Sequence, residues 1–134
     1  MQAKFRRALI AALVYFLLVM LAGFVFGAAR EFLFTPGFGQ NIGAAIEAPC
    51  MFAAIAASAC VSIRWCRVSA NPGERLTMGL CSLVLVLAAE LGLSPIVRGS
   101  LQTWFNSFTP LTLGLAIVLW ATHGLTPVVL RREL

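Results

Sequence analysis

The chain is 134 residues long, and 60% of its residues are hydrophobic while only 11% are charged, with a mean hydropathy of +0.93. Roughly 25% of the residues of a soluble domain are charged, so this composition excludes a water-soluble fold. The formal net charge is +5, and because such an excess sets orientation in a membrane protein, we expect membrane lipid and no nucleic acid as a partner.

Four apolar runs predict an all-α bundle of four transmembrane helices. Each run is close to the roughly 20 residues that a helix needs to cross the hydrocarbon, and none alternates as barrel strands do. The runs cover 8–29, 42–63, 76–97 and 111–130. With their flanks they give helices of about 8–34, 41–64, 75–97 and 111–130 in one transmembrane domain, 1–134. The short connections predict sequential neighbours in an up-down-up-down order.

The basic residues predict the orientation. Eight of the ten Lys and Arg residues flank helix ends that share one side, and only Arg30 and Arg98 lie on the other. Positive residues concentrate on the cytoplasmic side, so we expect both termini in the cytoplasm and a multi-pass protein of the bacterial inner membrane. The first run exceeds the apolar core of a signal peptide, and cleavage behind Ala29 is the less favoured alternative.

The two connections on the outer side differ in chemistry. Pro36, Gly37 and Gly39 predict a turn that ends the first helix. Residues of about 99–109 predict a short helix in the membrane interface, because apolar side chains recur there at helical spacing. Its apolar face comprises Leu101, Trp104, Phe105 and Phe108. We favour an aromatic anchor over a gate.

Ionisable residues within the spans are the candidate ligand- or proton-binding residues. Glu47 and Glu90 fall in the outer half, at depths that differ by about 3 Å, and Arg30 and Glu31 lie near the end of the first helix. Charges in lipid find partners inside the protein, so we expect Arg30 to form a buried ion pair with Glu47 or Glu90. Arg98 either reaches toward Glu90 or extends to the headgroups.

Two interpretations of this cluster stay open. A buried ion pair can serve only to fix which helices pack together, and we favour that interpretation. Alternatively, two carboxyls that share one arginine cannot both ionise cheaply, which would make a proton- or cation-accepting pocket.

Small residues predict helix-packing surfaces, and one histidine is a weaker site candidate. Gly23 and Gly27 form a GxxxG spacing on the first helix, and Ala53 and Ala57 lie one turn apart on the second. We expect His123 to be a packing residue that bonds a threonine or a carbonyl.

The sequence predicts no enzyme, no cofactor and no metal. It contains no GxSxG or HExxH motif, no glycine-rich phosphate loop and no Glu-x-x-His ligand pair.

Several motifs of the first three helices resemble a recurring family of small, uncharacterised bacterial membrane proteins. They are Arg30, Pro36, Gly39, Glu47-Ala48-Pro49-Cys50-Met51, Arg64-Trp65, Arg75-Leu76-Thr77-Met78-Gly79-Leu80 and Ala88-Ala89-Glu90-Leu91. The resemblance implies a four-helix protein of the inner membrane, and it implies no activity.

The favoured function is therefore a structural or accessory bundle, either a homo-oligomer or the small subunit of a membrane complex. The alternative is a small proton- or cation-coupled transporter or ligand-binding protein that uses Glu47, Glu90 and Arg30.

Overall fold

The computed structural model describes residues 2–106 and 108–130, except for the side chains at 34, 35, 94, 95, 97, 98, 101, 104 and 105. This part of the chain contains helices and no strand. The helices are α1 (Gln2–Ala29), a π-helical segment (Arg30–Phe34), α2 (Thr35–Phe38), α3 (Gln40–Cys66), α4 (Pro72–Arg98), α5 (Leu101–Asn106) and α6 (Pro110–Val129).

Four of these helices are long and apolar enough to cross a membrane, as the sequence predicts. They belong to the segments Gln2–Leu33, Gln40–Cys66, Pro72–Leu93 and Pro110–Val129. Within the most apolar stretch of each, between 17% and 39% of the residues are buried in the bundle. Many large apolar side chains of these helices are exposed, which fits a protein whose outer surface contacts lipid.

The first connection departs from the prediction, because Pro36 does not end a helix. Helical structure continues through the π-helical segment and α2, and the break comes at Gly39, whose φ is +90°. Pro36 is the second residue of α2 and comes directly after the π-helical segment, where the regular i→i−4 hydrogen bonding already changes, so the helical run accommodates the missing N–H.

The long helices are not all packed against their neighbours in sequence. Both α1 and α6 pack on α3 and α4. Although a five-residue connection joins α3 to α4, these two helices do not pack along each other, so the prediction of sequential neighbours is wrong for this pair. Five extended residues can span about 17 Å, which allows helices on opposite corners of a bundle to be joined.

One half of the bundle has a continuous apolar core, and we call it the packed half. It combines the first part of α1, the last part of α3 and the start of α4. Its buried core is Ala11, Ala12, Tyr15, Val19, Ile55, Ala59, Ile63, Val68 and Met78.

Arg75 is part of this packed half, although the sequence suggests only a basic flank of a loop. The residue is 1% exposed. Its guanidinium donates hydrogen bonds to the backbone oxygens of Ser69 (2.8 Å), Val68 (3.3 Å) and Pro127 (3.3 Å). Arg75 therefore ties the connection after α3 to the end of α6 with several N–H donors of one planar group.

A close helix crossing lies between α4 and α6, at Gly79 and Gly124. A Cβ atom added to Gly79 would overlap the backbone oxygen of Gly124. Because the obstacle is backbone rather than a flexible side chain, only glycine at position 79 allows this approach.

The crossing predicts that Gly79→Ala lowers the free energy of unfolding by about 1–3 kcal/mol, the usual cost of overpacking. Thermal unfolding of the purified protein measures the effect. Gly114→Ala in α6 is the matched control, because a Cβ there meets nothing within 4 Å. Equal midpoints for the two variants would contradict the close approach.

A candidate ligand-binding cavity

The other half of the bundle contains a partly open cavity of about 540 Å³, and we call it the open half. Its walls come from the end of α1 and the π-helical segment, the start of α3, the end of α4 and the start of α6. The space exists because small residues occupy much of the wall. These are Gly23, Gly27, Ala28, Ala44, Ala48, Ala89 and Ala116.

The end of the open half is fixed by the start of α6. Thr109 is the N-cap of this helix and forms a capping box with Thr112, in which the Thr109 hydroxyl accepts from the Thr112 backbone N–H and the Thr109 backbone N–H donates to the Thr112 hydroxyl. The Thr109 hydroxyl also donates to the side-chain oxygen of Asn41 at the start of α3 (2.7 Å). This contact joins α3 and α6 beside the cavity.

Arg30 and Glu47 form an ion pair in the cavity wall. Arg30 Nη1 lies 2.8 Å from Glu47 Oε2, and Arg30 Nη2 lies 3.4 Å from Glu31 Oε1. The side chains of Arg30 and Glu47 are 27% and 14% exposed, whereas that of Glu31 is 50% exposed. The predicted pairing of Arg30 with one of the two glutamates is thus confirmed, with Glu47 as the partner, but the pair is partly exposed rather than buried as expected. Arg30 is in the π-helical segment, a distortion that occurs frequently at functional sites.

Glu90 lies in the same cavity with a different kind of partner. None of the basic side chains that the structure describes forms an ion pair with it, the side chain of Arg98 being outside that part, and its carboxyl lies close to Trp120 on α6. Both residues line the cavity. An indole N–H can donate one hydrogen bond but carries no charge. The negative charge of an ionised Glu90 is therefore not balanced by a basic side chain among the described residues.

His123 lines the cavity where the open half meets the packed half. It is 2% exposed, and its Nε2 lies 2.8 Å from Ser82 Oγ on α4. Its ring stacks on that of Tyr15, with centroids 4.2 Å apart and planes at 4°. The Tyr15 hydroxyl donates to the backbone oxygen of His123 (2.7 Å). The partner of the imidazole is thus a serine rather than the expected threonine or carbonyl.

The other ring nitrogen of His123, Nδ1, differs from Nε2 in its hydrogen bonding. Nδ1 of His123 is buried and has no hydrogen-bond partner among the residues that the structure describes. Buried polar atoms in native proteins are nearly always paired, so such an atom beside a cavity needs a physical reason.

The structure brings most of the predicted site residues together around one space. Arg30, Glu31, Glu47, Glu90 and His123 all line the cavity. The side chain of Arg98 lies outside the described part of the chain. The cavity wall therefore carries three carboxyl groups and one guanidinium among its described residues.

The predicted packing residues have different places. A Cβ on Gly23 or Gly27 would meet nothing within 4 Å, so no helix of the described chain approaches closely there, and both glycines line the cavity instead. Ala53 and Ala57 are exposed on the outside of α3. None of these four residues therefore makes a close helix crossing within the described chain.

The short helix α5 lies within the predicted interfacial segment of about 99–109, and a residue of that segment that follows α5 contributes to the cavity. Phe108, which follows α5, lines the cavity. The side chains of Leu101, Trp104 and Phe105 lie outside the described part of the chain.

Tyr15 and Trp120 are the site residues that sequence reasoning missed. Each carries a polar group within a long apolar run. Because a buried hydroxyl or indole N–H needs a hydrogen-bond partner, this feature of the sequence could have identified both residues. Trp120 is also one helical turn from His123, which places both on one side of α6.

No group of three His, Cys, Asp or Glu side chains close enough to hold a metal ion occurs in 2–106 and 108–130. Comparison of the chain with known protein families, curated protein sequences and solved structures finds no match.

The Arg30–Glu47 geometry predicts a measurable coupling in a double-mutant cycle of Arg30→Gln and Glu47→Gln. We expect a coupling of about 1–3 kcal/mol in the free energy of unfolding, because both side chains are partly buried. The cycle of Arg30→Gln with Glu31→Gln is the control. That pair is longer and more exposed, and we expect below about 1 kcal/mol. Equal couplings in the two cycles would contradict the structure.

Proposed function

We propose that the chain is a multi-pass protein of the bacterial inner membrane that binds a small cation in the cavity, with Glu90 as the main charged group of the site. The proposed topology is up-down-up-down with both termini in the cytoplasm. The basic flanks support it, and it places the cavity in the outer half of the membrane.

The observation that carries the proposal is the carboxyl of Glu90, which none of the described basic side chains balances. Arg30, the basic residue among the described lining residues, already pairs with Glu47. A charged group in a membrane interior is costly unless it has a partner. A bound cation or a proton would supply that partner, and the two would compete for Glu90.

The size and walls of the cavity support an organic cation rather than a bare ion. Its volume of about 540 Å³ lies in the usual range of small-molecule sites. Apolar and aromatic side chains form much of the wall, among them Phe24, Phe32, Phe108 and Trp120. Such rings accommodate an apolar body and attract a cation that lies over their faces.

Calorimetric titration with phenethylamine, a primary ammonium ion at neutral pH, tests the proposal. We expect saturable binding that Glu90→Gln weakens at least about tenfold, or about 1.4 kcal/mol, because the amide keeps the shape and removes the charge. Glu74→Gln is the matched control, since this carboxyl is outside the cavity wall.

A second control uses 2-phenylethanol, which has the same body without the charge and should not depend on Glu90. The proposal fails if phenethylamine does not bind to the wild-type protein, or if Glu74→Gln weakens binding as much as Glu90→Gln does.

A second candidate function is that of an accessory bundle that associates with copies of itself or with a larger complex. The observation that favours it is the pair Ala53 and Ala57, which forms a strip of small side chains on the outside of α3. Small residues on a lipid-facing surface allow another helix to approach closely.

Native mass spectrometry of protein released from nanodiscs tests this candidate. The wild-type protein should give a defined oligomer that the double variant Ala53→Leu and Ala57→Leu dissociates. Ala121→Leu is the control, because Ala121 is an exposed alanine on α6. A wild-type monomer, or an oligomer that is unaffected by the α3 variant, would exclude this surface.

A further inference from the structure

A separate groove lies on the outside of the packed half, between α1 and α3. It has a volume of about 320 Å³, and its walls come from the first part of α1 and the last turn of α3. The lining residues are Arg7, Ile10, Val14, Trp65 and Cys66. None of them lines the cavity, so this groove is distinct from the proposed cation site.

The groove has a charged end and an apolar wall. Arg7, Ile10 and Val14 are three and four residues apart on α1, so they share one face of this helix. Arg7 is nearest the start of α1, and Val14 lies about 10 Å further along the helix axis. Trp65, in the last turn of α3, is 74% exposed, and tryptophan is typical of the boundary between hydrocarbon and water. The groove therefore has the same order as a phospholipid, with the charge at the end of the bundle and the apolar part deeper along the helix axis.

The charge of Arg7 is not balanced within the described part of the chain. Arg7 is exposed and forms no ion pair with a residue that the structure describes. Glu74, the acidic residue among the described residues of this end of the bundle, is not part of the groove. Further exposed basic residues of this end are Lys4, Arg6, Arg64 and Arg67. A surface with such an excess of one sign of charge attracts ligands of the opposite sign, so the charged end of the groove favours an anion.

We propose that the groove binds an anionic phospholipid, with its phosphate group at Arg7 and one acyl chain along Ile10 and Val14. A soluble anion would leave the apolar wall uncovered, and a lipid without net charge would leave the basic end unbalanced, whereas an anionic phospholipid satisfies both. A guanidinium donates to phosphate oxygens through several N–H groups at once. The inference requires the helices to lie in a membrane, and it does not depend on the cation site at Glu90.

Native mass spectrometry of the full chain tests the inference with phosphatidylglycerol, which has a net negative charge, and phosphatidylcholine, which has none. The two lipids carry the same acyl chains. We expect phosphatidylglycerol to bind the wild-type protein at least about fivefold more tightly than phosphatidylcholine does. Arg7→Gln removes the charge and keeps a polar side chain. It should weaken the binding of phosphatidylglycerol at least about fivefold, because charge-assisted hydrogen bonds to the phosphate are lost.

Arg6→Gln is the matched control, since it removes the same charge from the neighbouring position, which does not line the groove. We expect a loss of less than about twofold, because the side chain at position 6 leaves the helix about 100° around the axis from that of Arg7. A loss as large as that of Arg7→Gln would show a general attraction to the basic end and would overturn the proposed site. Equal affinities of the wild-type protein for the two lipids would overturn it as well.

The apolar wall is tested separately with Ile10→Ser. Ile10 is 47% exposed, and we expect both lipids to bind this variant about threefold more weakly, with an unchanged ratio, because less apolar area is covered. Leu13→Ser is the control, since Leu13 is 49% exposed and lies outside the groove. An unchanged affinity of Ile10→Ser for both lipids would overturn the position of the acyl chain. Phenethylamine binding should be the same in each of these variants, so the failure of either proposal leaves the other standing.

Discussion

The contact between Tyr15 and His123 is the interaction on which the interior of the bundle depends. It joins α1 to α6, which like α3 and α4 do not pack along each other, by one hydrogen bond and one stacked ring pair. On one side of this contact lies the apolar core, and on the other lies the cavity. The same contact thus closes the core and forms the inner boundary of the site.

Residue size explains why the two halves differ. In the packed half, the glycines of α4 and α6 let these helices touch, and Tyr15, Ile55 and Met78 fill the remaining volume. In the open half, a Cβ on Gly23 or Gly27 would meet nothing within 4 Å, and short alanine side chains line the rest of the wall without filling the space. Small residues therefore have opposite effects in this bundle. They bring backbones together where a second glycine faces them, and they leave volume where none does.

The sequence predicts the spans well because lipid requires continuous apolar helices, and this requirement is local. The Arg30–Glu47 pair was also predictable, since a charge in such a helix needs a partner close by in depth. The diagonal placement of α3 and α4 was not, because a connection of five residues fits both adjacent and diagonal helices. The roles of Tyr15 and Ser82 depend on which side chains meet across the bundle. These contacts join distant parts of the chain, and no spacing of residues within the sequence indicates them.

Arg75 has a consequence for the movement of ions. Its positive charge is buried in the packed half, where its hydrogen bonds go to backbone oxygens that carry only partial charge. A cation that advanced from the cavity toward this end of the bundle would meet a closed apolar core and then a guanidinium of like sign. The described residues of the packed half therefore oppose a continuous path for an ion through this end of the bundle, so that a cation bound at the proposed site would have to enter and leave from the open half.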